Sequence, residues 1–377
     1  MIGGMLSGGV TLYTTLLTSR SRVLWYSKFS VFSSCKASHF GLFCIAPPIA
    51  CLYKLDDHKP LLMLASCQDC LRVYRAGFIV LRRYLAGGVW RSQRKLTGKT
   101  VLITGANSGI GKETAQDLAR RGAKVLLACR DITKAERAAE DISKSTGNPN
   151  VKVYVVDLAS LQSVRKLAKD IVEKENRLDI LVNNAGIMAC PQWKSVDGYE
   201  LQFAVNHLGH FLLTNLLLDL LKKSAPSRIV NVSSRAHQFG KMHVADINHE
   251  KDYNPYVAYS QSKLANILFT RELAKRLQGT NVTVNALHPG VVQTELFKFI
   301  LSSWKTVLTP LTSIFLKTIE QGAQTSIYCC VAEELEGVTG RYFSDCKEKK
   351  VAPQACDDKT AKILWDLSEK MVELKSS

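Results

Sequence analysis

Residues 100–123 read "TVLITGANSGIGKETAQDLARRGA". A short apolar run from Thr100 to Thr104 passes without a linker into Gly105, Gly109 and Gly111, spaced GxxxGxG, and then into an amphipathic stretch from Ile110 to Arg121. The change of period predicts a strand, a tight turn and a helix starting near Ile110. Glycines at such a turn let the main chain approach a pyrophosphate, and the helix N-terminus presents free N–H groups and the positive end of its dipole. A glycine turn that only packs a strand on a helix is the competing reading. The position of the loop in the first strand–helix unit favours a dinucleotide. Ala106, Asn107, Ser108 and Ile110 join the three glycines as candidate cofactor-binding residues.

Beyond this unit the same alternation continues. Strands are expected at Lys124 to Cys129, Val151 to Val156, Ile180 to Asn183, Arg228 to Val232 and Val282 to Leu287, with helical stretches such as Ser160 to Glu175 between them. Strict alternation implies right-handed crossovers and a parallel sheet covered on both faces, an α/β doubly wound, Rossmann-type fold of about seven strands. Residues 96–377 contain no repeat and no low-complexity linker and are taken as one domain.

Residues 1–95 differ in kind. The 377-residue chain has a formal charge of +17, but residues 1–95 hold 13 Lys or Arg and three acids, a net of +10. A charge concentrated in the leading segment argues against nucleic acid as the partner. The segment is serine-rich and acid-poor like a transit peptide. Its uncharged runs, from Met1 to Ser19 and from Ala37 to Tyr53, suit a membrane span poorly, since one is rich in Gly and Thr and the other holds Pro47 and Pro48. The apolar piece at residues 76–88, flanked by Arg72, Arg75, Arg82 and Arg83, suits an interfacial anchor. Membrane association is therefore expected. The transit-like composition points to the mitochondrion and the anchor to the endoplasmic reticulum.

Eleven cysteines form no two closely spaced pairs of the kind a structural zinc site needs, so no metal is assigned. Cys129 and the later cysteines read as reduced, apolar fillers.

The end of the second strand bears on which cofactor is preferred. A carboxylate there would bind both ribose hydroxyls of NAD, whereas the chain reads "LLACRD", with Cys129 at the acid position and Arg130 after it. An arginine pairs with a 2′-phosphate, so NADP(H) is expected over NAD(H). Asp131 is nearby but is placed to cap the next helix. Lys112 reads as a solvated lysine.

A second stretch, "VAYSQSKLANILFTRELAKRL" at residues 257–277, sets Tyr259 and Lys263 one turn apart on a helix. Leu264, Ile267, Leu268, Leu273 and Leu277 would face a core, with Arg271, Glu272, Lys275 and Arg276 outward.

"TGANSGIG" at 104–111, "NNAG" at 183–186, Asn206 in "VNHLGHF", "IVNVSS" at 229–234, Tyr259 and Lys263 as YxxxK, and "HPG" at 288–290 resemble the short-chain dehydrogenase/reductase family in order and spacing. Longer stretches at 205–221, 262–290 and 338–350 resemble its retinol dehydrogenase branch, and within it the retinol dehydrogenases numbered eleven to fourteen. The resemblance implies membrane association and a preference for NADPH.

It also implies roles. Tyr259 would give a proton to a carbonyl oxygen or remove one from an alcohol, and Lys263 would favour its phenolate and hold the nicotinamide ribose. Ser234 would bind the substrate oxygen. Ser233, pointing to the opposite side of its strand, is the alternative. Asn206 would belong to a water-linked proton path. Asn184, Ala185 and Gly186 would lie against the adenosine ribose, Asp157 against the adenine edge, and Pro289, Gly290 and Thr294 near the carboxamide and pyrophosphate. His207 and His210 lack a third ligand nearby and are not assigned to a metal.

The segment after Thr294 is rich in Phe, Ile, Leu and Trp and reads as an apolar substrate lid or as two packed core helices. With Lys298, Lys305 and Lys317 it would suit a bilayer surface and a lipophilic small-molecule substrate. The expected function is NADP(H)-dependent interconversion of retinal and retinol. The alternatives are a lipid aldehyde or steroid substrate, or a cofactor-binding protein without turnover. A homo-oligomer is compatible with all three.

Overall fold

All five residues of β1, Thr100–Thr104, are buried, the condition of a strand whose sheet is covered by helices on both faces. The computed structural model describes Arg72, residues 74–80, Arg82, residues 86–292 and residues 316–374. The chain divides into two compact units, Met1–Arg72 and Val73–Ser377, and the fold belongs to the second.

Seven further strands follow: β2 (Lys124–Cys129), β3 (Val151–Val155), β4 (Ile180–Asn183), β5 (Ser227–Val232), β6 (Val282–His288), β7 (Tyr342–Ser344) and β8 (Lys347–Glu348). The principal helices are α1 (Gly109–Arg120), α2 (Ile132–Thr146), α3 (Leu161–Lys174), α4 (Gly209–Lys223), α5 (Pro255–Arg276), α6 (Ile319–Val331) and α7 (Asp358–Met371). They surround one eight-stranded sheet of order β3-β2-β1-β4-β5-β6-β7-β8. The first seven strands run parallel and β8 pairs antiparallel with β7.

Side chains alternate between the two faces of the sheet. Leu102, Leu126, Leu181 and Ile229 enter one apolar core together with α3, α4, α5 and α7. Val101, Ile103, Val125, Leu127, Val182 and Val230 enter the other, with α1, α2 and α6. Each fully buried Leu or Val side chain contributes roughly 1.5–3 kcal/mol by leaving water.

The strand order reverses at β1, which pairs with β2 on one side and β4 on the other. Ligands of such sheets bind beyond the carboxyl ends of the strands at this switch point. The glycine turn after β1 and the "NNAG" turn after β4 both lie there.

The expected strands are all present, with ends shifted by a residue at β3, β5 and β6. The eighth strand exceeds the expected number because β7 and β8 span only three and two residues, too short for alternation to show. The helix read as amphipathic needs a larger correction. α5 is buried around most of its circumference, Glu272 included at 8% exposure. Of the four charged residues expected outward, Lys275 and Arg276 are exposed and Arg271 is half-buried, so only Glu272 departs; Arg271 and Lys275 both pair with Asp358 of α7, at 3.0 and 2.9 Å.

Residues 86–95 join the main body. The Trp90 N–H donates to Gln324 at 3.0 Å and its ring meets Tyr328 edge-on, while Arg94 pairs with Glu336 at 2.9 Å. Among the described residues, no helix is long and apolar enough to cross a membrane.

Candidate active site

α1 begins where its sequence expects. Ser108 is the N-cap but makes no side-chain capping bond, and no acid stands in the first turn. The first-turn N–H groups are thus left for an external acceptor. Gly105 has φ +65°, and a Cβ on Gly111 would lie 2.4 Å from the Gly105 carbonyl oxygen and 2.6 Å from Asn184 Nδ2. Only glycine fits that approach. A turn this tight, with unspent N–H groups, fits the pyrophosphate of a dinucleotide.

Asn184 locks this turn to the end of β4. Its Nδ2 donates to Thr104 O at 2.8 Å. The N–H groups of Asn184 and Ala185 both donate to Thr104 Oγ1, at 2.9 and 3.0 Å. With both lone pairs engaged, that hydroxyl turns its proton to His210 Nε2, 2.8 Å away, and His210 Nδ1 bonds Asn206 O at 3.1 Å. His210 is buried and its pKa is pushed down to about 4, chiefly by burial. His207 bonds Ser368 at 2.9 Å, and burial pushes it down to about 3. The two histidines serve different hydrogen bonds. The tie from Thr104 to Asn206 through His210 carries no sequence signal, because Thr104 and His210 stand 106 residues apart.

Asn206 sits in a π-helical run, Ala204–Leu208, at the entry to α4, a local widening that recurs at functional sites. Its Oδ1 accepts from Ile187 N at 2.9 Å, while Nδ2 donates to Ile187 O at 3.0 Å and to Ser262 Oγ at 2.9 Å. These bonds hold the loop after β4. A Cβ on Gly186 would lie 3.1 Å from Asn206 Oδ1 and 3.4 Å from Lys263 Nζ, so the glycine keeps open the space between them.

Asn254 caps α5, accepting from Tyr256 N and Val257 N, with Pro255 at the first helical position. Tyr259 and Lys263 follow within the next two turns, 6% and 3% exposed. The Lys263 ammonium lies 5.7 Å from the Tyr259 ring centre and donates to Val232 O at 3.2 Å. Ser233 spends its hydroxyl on the main chain, donating to Lys263 O at 2.7 Å. Ser234, extended at φ −153°, caps the turn Arg235–Phe239 and accepts from Ala236 N at 3.1 Å.

The expected lowering of the phenol by the ammonium is reversed. Burial pushes Tyr259 up to about 12, against a smaller downward pull from Ser234, and pushes Lys263 down to about 8. Desolvation penalises both charged forms.

One cavity of about 1170 Å³ is lined by the glycine turn, Arg130, Asp157, the Asn184–Gly186 turn, Ser234, Tyr259, Lys263, Pro289 and Gly290. Its volume exceeds that of a typical small-ligand pocket, leaving room for a dinucleotide and a second molecule. At the end of β2, Cys129 is buried and its thiol is pushed up to about 11 by burial, so it carries no charge at neutral pH. Arg130 is exposed and has no ion-pair partner among the described residues. Asp131 caps α2, accepting from Lys134 N at 3.0 Å. Asp157 Oδ1 accepts from Ala159 N at 3.0 Å, ordering its own loop. Lys112 pairs with Asp141 at 2.7 Å.

Lys317 does not face a bilayer: it is 8% exposed and pairs with Asp345 at 2.5 Å. Cys356 is exposed and is no filler, unlike Cys129, Cys190, Cys329 and Cys330. Thr294, the apolar segment after it up to residue 315, and the two uncharged runs of the leader lie outside the described residues.

The sequence profile of the short chain dehydrogenase family matches residues 99–303. Retinol dehydrogenase 12 of Homo sapiens is 53% identical over 295 residues, covering 78% of this chain and 93% of that protein. Retinol dehydrogenase 13 of Mus musculus is 52% identical over 305 residues, 79% and 91% of the two chains. Among solved structures, an uncharacterized protein from Mycobacterium paratuberculosis is 37% identical with a TM-score of 0.63, covering 76% of this chain and 98% of that one. A short chain dehydrogenase from Escherichia coli CFT073, complexed with NADPH, is 28% identical with a TM-score of 0.55, covering 68% and 99%.

Proposed function

This chain belongs to the short-chain dehydrogenase family, and from that premise we propose an NADP(H)-dependent oxidoreductase that interconverts a lipophilic aldehyde or ketone and its alcohol, retinal and retinol first among them. The observation that carries the reading is the meeting of Ser234, Tyr259 and Lys263 in the same cavity as the glycine turn. The named relatives, retinol dehydrogenases over most of their length, supply the substrate class.

The cofactor would lie with its pyrophosphate on residues 105–111, its adenosine against Asp157 and Asn184–Gly186, and its nicotinamide toward Tyr259, Lys263, Pro289 and Gly290. When bound it supplies or takes the hydride. The protein handles the oxygen and the proton. Ser234 holds the substrate oxygen by a hydrogen bond that strengthens as charge develops there. Tyr259, a phenol that is protonated at neutral pH and that burial raises further, is set to donate to that oxygen in reduction. In oxidation the same phenol would need a nearby cation to act as base, which is the office of Lys263. Asn206 holds the loop beside Lys263 and would serve the proton path to solvent.

NADP(H) is favoured over NAD(H) because the end of β2 offers Arg130 and an uncharged Cys129, with Asp131 spent on a helix cap. Residues 74–80 are helical and expose Phe78, Ile79 and Val80 together with Arg75, which supports a membrane surface, of the endoplasmic reticulum or mitochondrion, as the place of work.

The test is kinetic. Purified protein should oxidise NADPH when given retinal, with NADH much the poorer donor. A medium-chain aldehyde and a steroid ketone in the same assay separate the retinoid reading from its alternatives. Normal NADPH binding with no conversion of any of them would replace the enzyme by a cofactor-binding protein.

A further inference from the structure

His237 stands three residues beyond Ser234, in the short turn that Ser234 caps. It is wholly buried. Its ring bonds only main chain: Nδ1 lies 2.7 Å from Ser234 O, and Nε2 lies 3.3 Å from Ala352 N. These partners fix the proton. A backbone N–H only donates, so Nε2 presents a lone pair; a carbonyl only accepts, so Nδ1 carries the hydrogen. The neutral ring is therefore held between Ser234 and the segment leading into α7, and burial pushes its pKa down, in keeping with neutrality.

The Ser234 carbonyl receives a second bond from the same residue, the His237 N–H at 3.1 Å. On the far side the ring packs edge-on against Tyr342, with centroids 5.0 Å apart. Gln354 clamps the turn from outside, its Nε2 reaching Gln238 O at 2.9 Å and Gly240 O at 3.2 Å. The turn after β5 is thus held at His237, Gln238 and Gly240, and of these residues His237 is the one bonded to the Ser234 carbonyl.

We propose that His237 is a positioning residue for Ser234: its Nδ1–H anchors the Ser234 carbonyl and so sets the direction of the Ser234 hydroxyl toward Tyr259. The inference rests on the reading of Ser234 and Tyr259 given above. Nothing in the chain before or after His237 marks it for this role; the assignment comes from the two main-chain partners alone.

Two substitutions separate the two bonds of the ring. His237→Asn places an amide N–H near the position of Nδ1 and gives up the contact with Ala352. His237→Gln reaches the position of Nε2 and gives up the donor to Ser234. With retinal and NADPH, the Gln variant should lose roughly tenfold in kcat, the scale of a misdirected catalytic group. Its NADPH dissociation constant, read by cofactor fluorescence, should stay within about twofold of wild type, and the Asn variant should keep kcat within about threefold. If Gln keeps full kcat, or if Asn and Gln lose kcat and thermal stability alike, the ring only staples the Ala352 segment and the proposal is wrong. A wild-type protein that converts no carbonyl would overturn the functional reading instead. In that case the proton position still decides: nitrogen-15 spectra of the His237 ring should show the Nδ1–H tautomer, and the Nε2–H tautomer would refute the anchor.

Discussion

The Lys263 ammonium lies 5.7 Å from the centre of the Tyr259 ring, one turn along α5, with both side chains buried. Burial moves the two groups in opposite directions on the pH scale and in the same direction chemically, toward neutrality. Tyr259 rises to about 12 and Lys263 falls to about 8. The pair is costly to ionise until something with compensating charge or hydrogen bonds lies against it.

That cost has a sign that stability measurements will read. Lys263 has an ordinary value of 10.5 and a folded value of about 8, so between these the unfolded chain binds more protons than the folded one. Stability then rises with pH. The penalty is fully present below about 8 and fades as pH climbs from there toward 10, above which the raised Tyr259 value acts in the opposite sense. Lys263→Met should flatten this rise, which amounts to about 3 kcal/mol at most. Denaturant unfolding of both proteins across that window checks it; parallel curves would contradict it.

The glycine turn permits a steric test. A methyl group on Gly111 meets the Gly105 carbonyl at 2.4 Å, and main chain must move to admit it. Gly111→Ala should weaken NADPH binding by more than about tenfold and cost roughly 1–3 kcal/mol of stability through overpacking. Fluorescence titration and thermal unfolding measure the two effects separately.

Much of this was legible in the sequence because the signals were local. The glycine turn, the "NNAG" turn and the tyrosine–lysine pair each declare themselves within a few residues. The parallel strands, buried on both faces, show as short apolar runs. What stayed hidden depends on contacts between distant residues. The packing around α5 buried an apparently solvent-facing Glu272, the pairing of Lys317 with Asp345 removed a lysine from the surface, and the bond between Thr104 and His210 joins two elements far apart in the chain. The direction of the Tyr259 shift was misread because spacing reports the neighbouring charge and says nothing of desolvation.

Arg130 bears on cofactor choice. It is exposed at the cavity, without an ion-pair partner among the described residues. Arg130→Ser should raise the KM for NADPH roughly tenfold or more, the loss of a charge-assisted contact with a phosphate, and leave the KM for NADH nearly unchanged. Equal effects on both cofactors would remove Arg130 from the discrimination.

Tyr259→Phe addresses the proton transfer itself, since it removes one hydroxyl and keeps the ring that packs in α5. The measurement is single-turnover oxidation of NADPH by retinal alongside a fluorescence titration of NADPH. The account predicts a rate at least about a thousandfold below wild type, within the range general acid catalysis supplies, with cofactor affinity preserved. A variant that binds NADPH normally and still reduces retinal at the wild-type rate would contradict it.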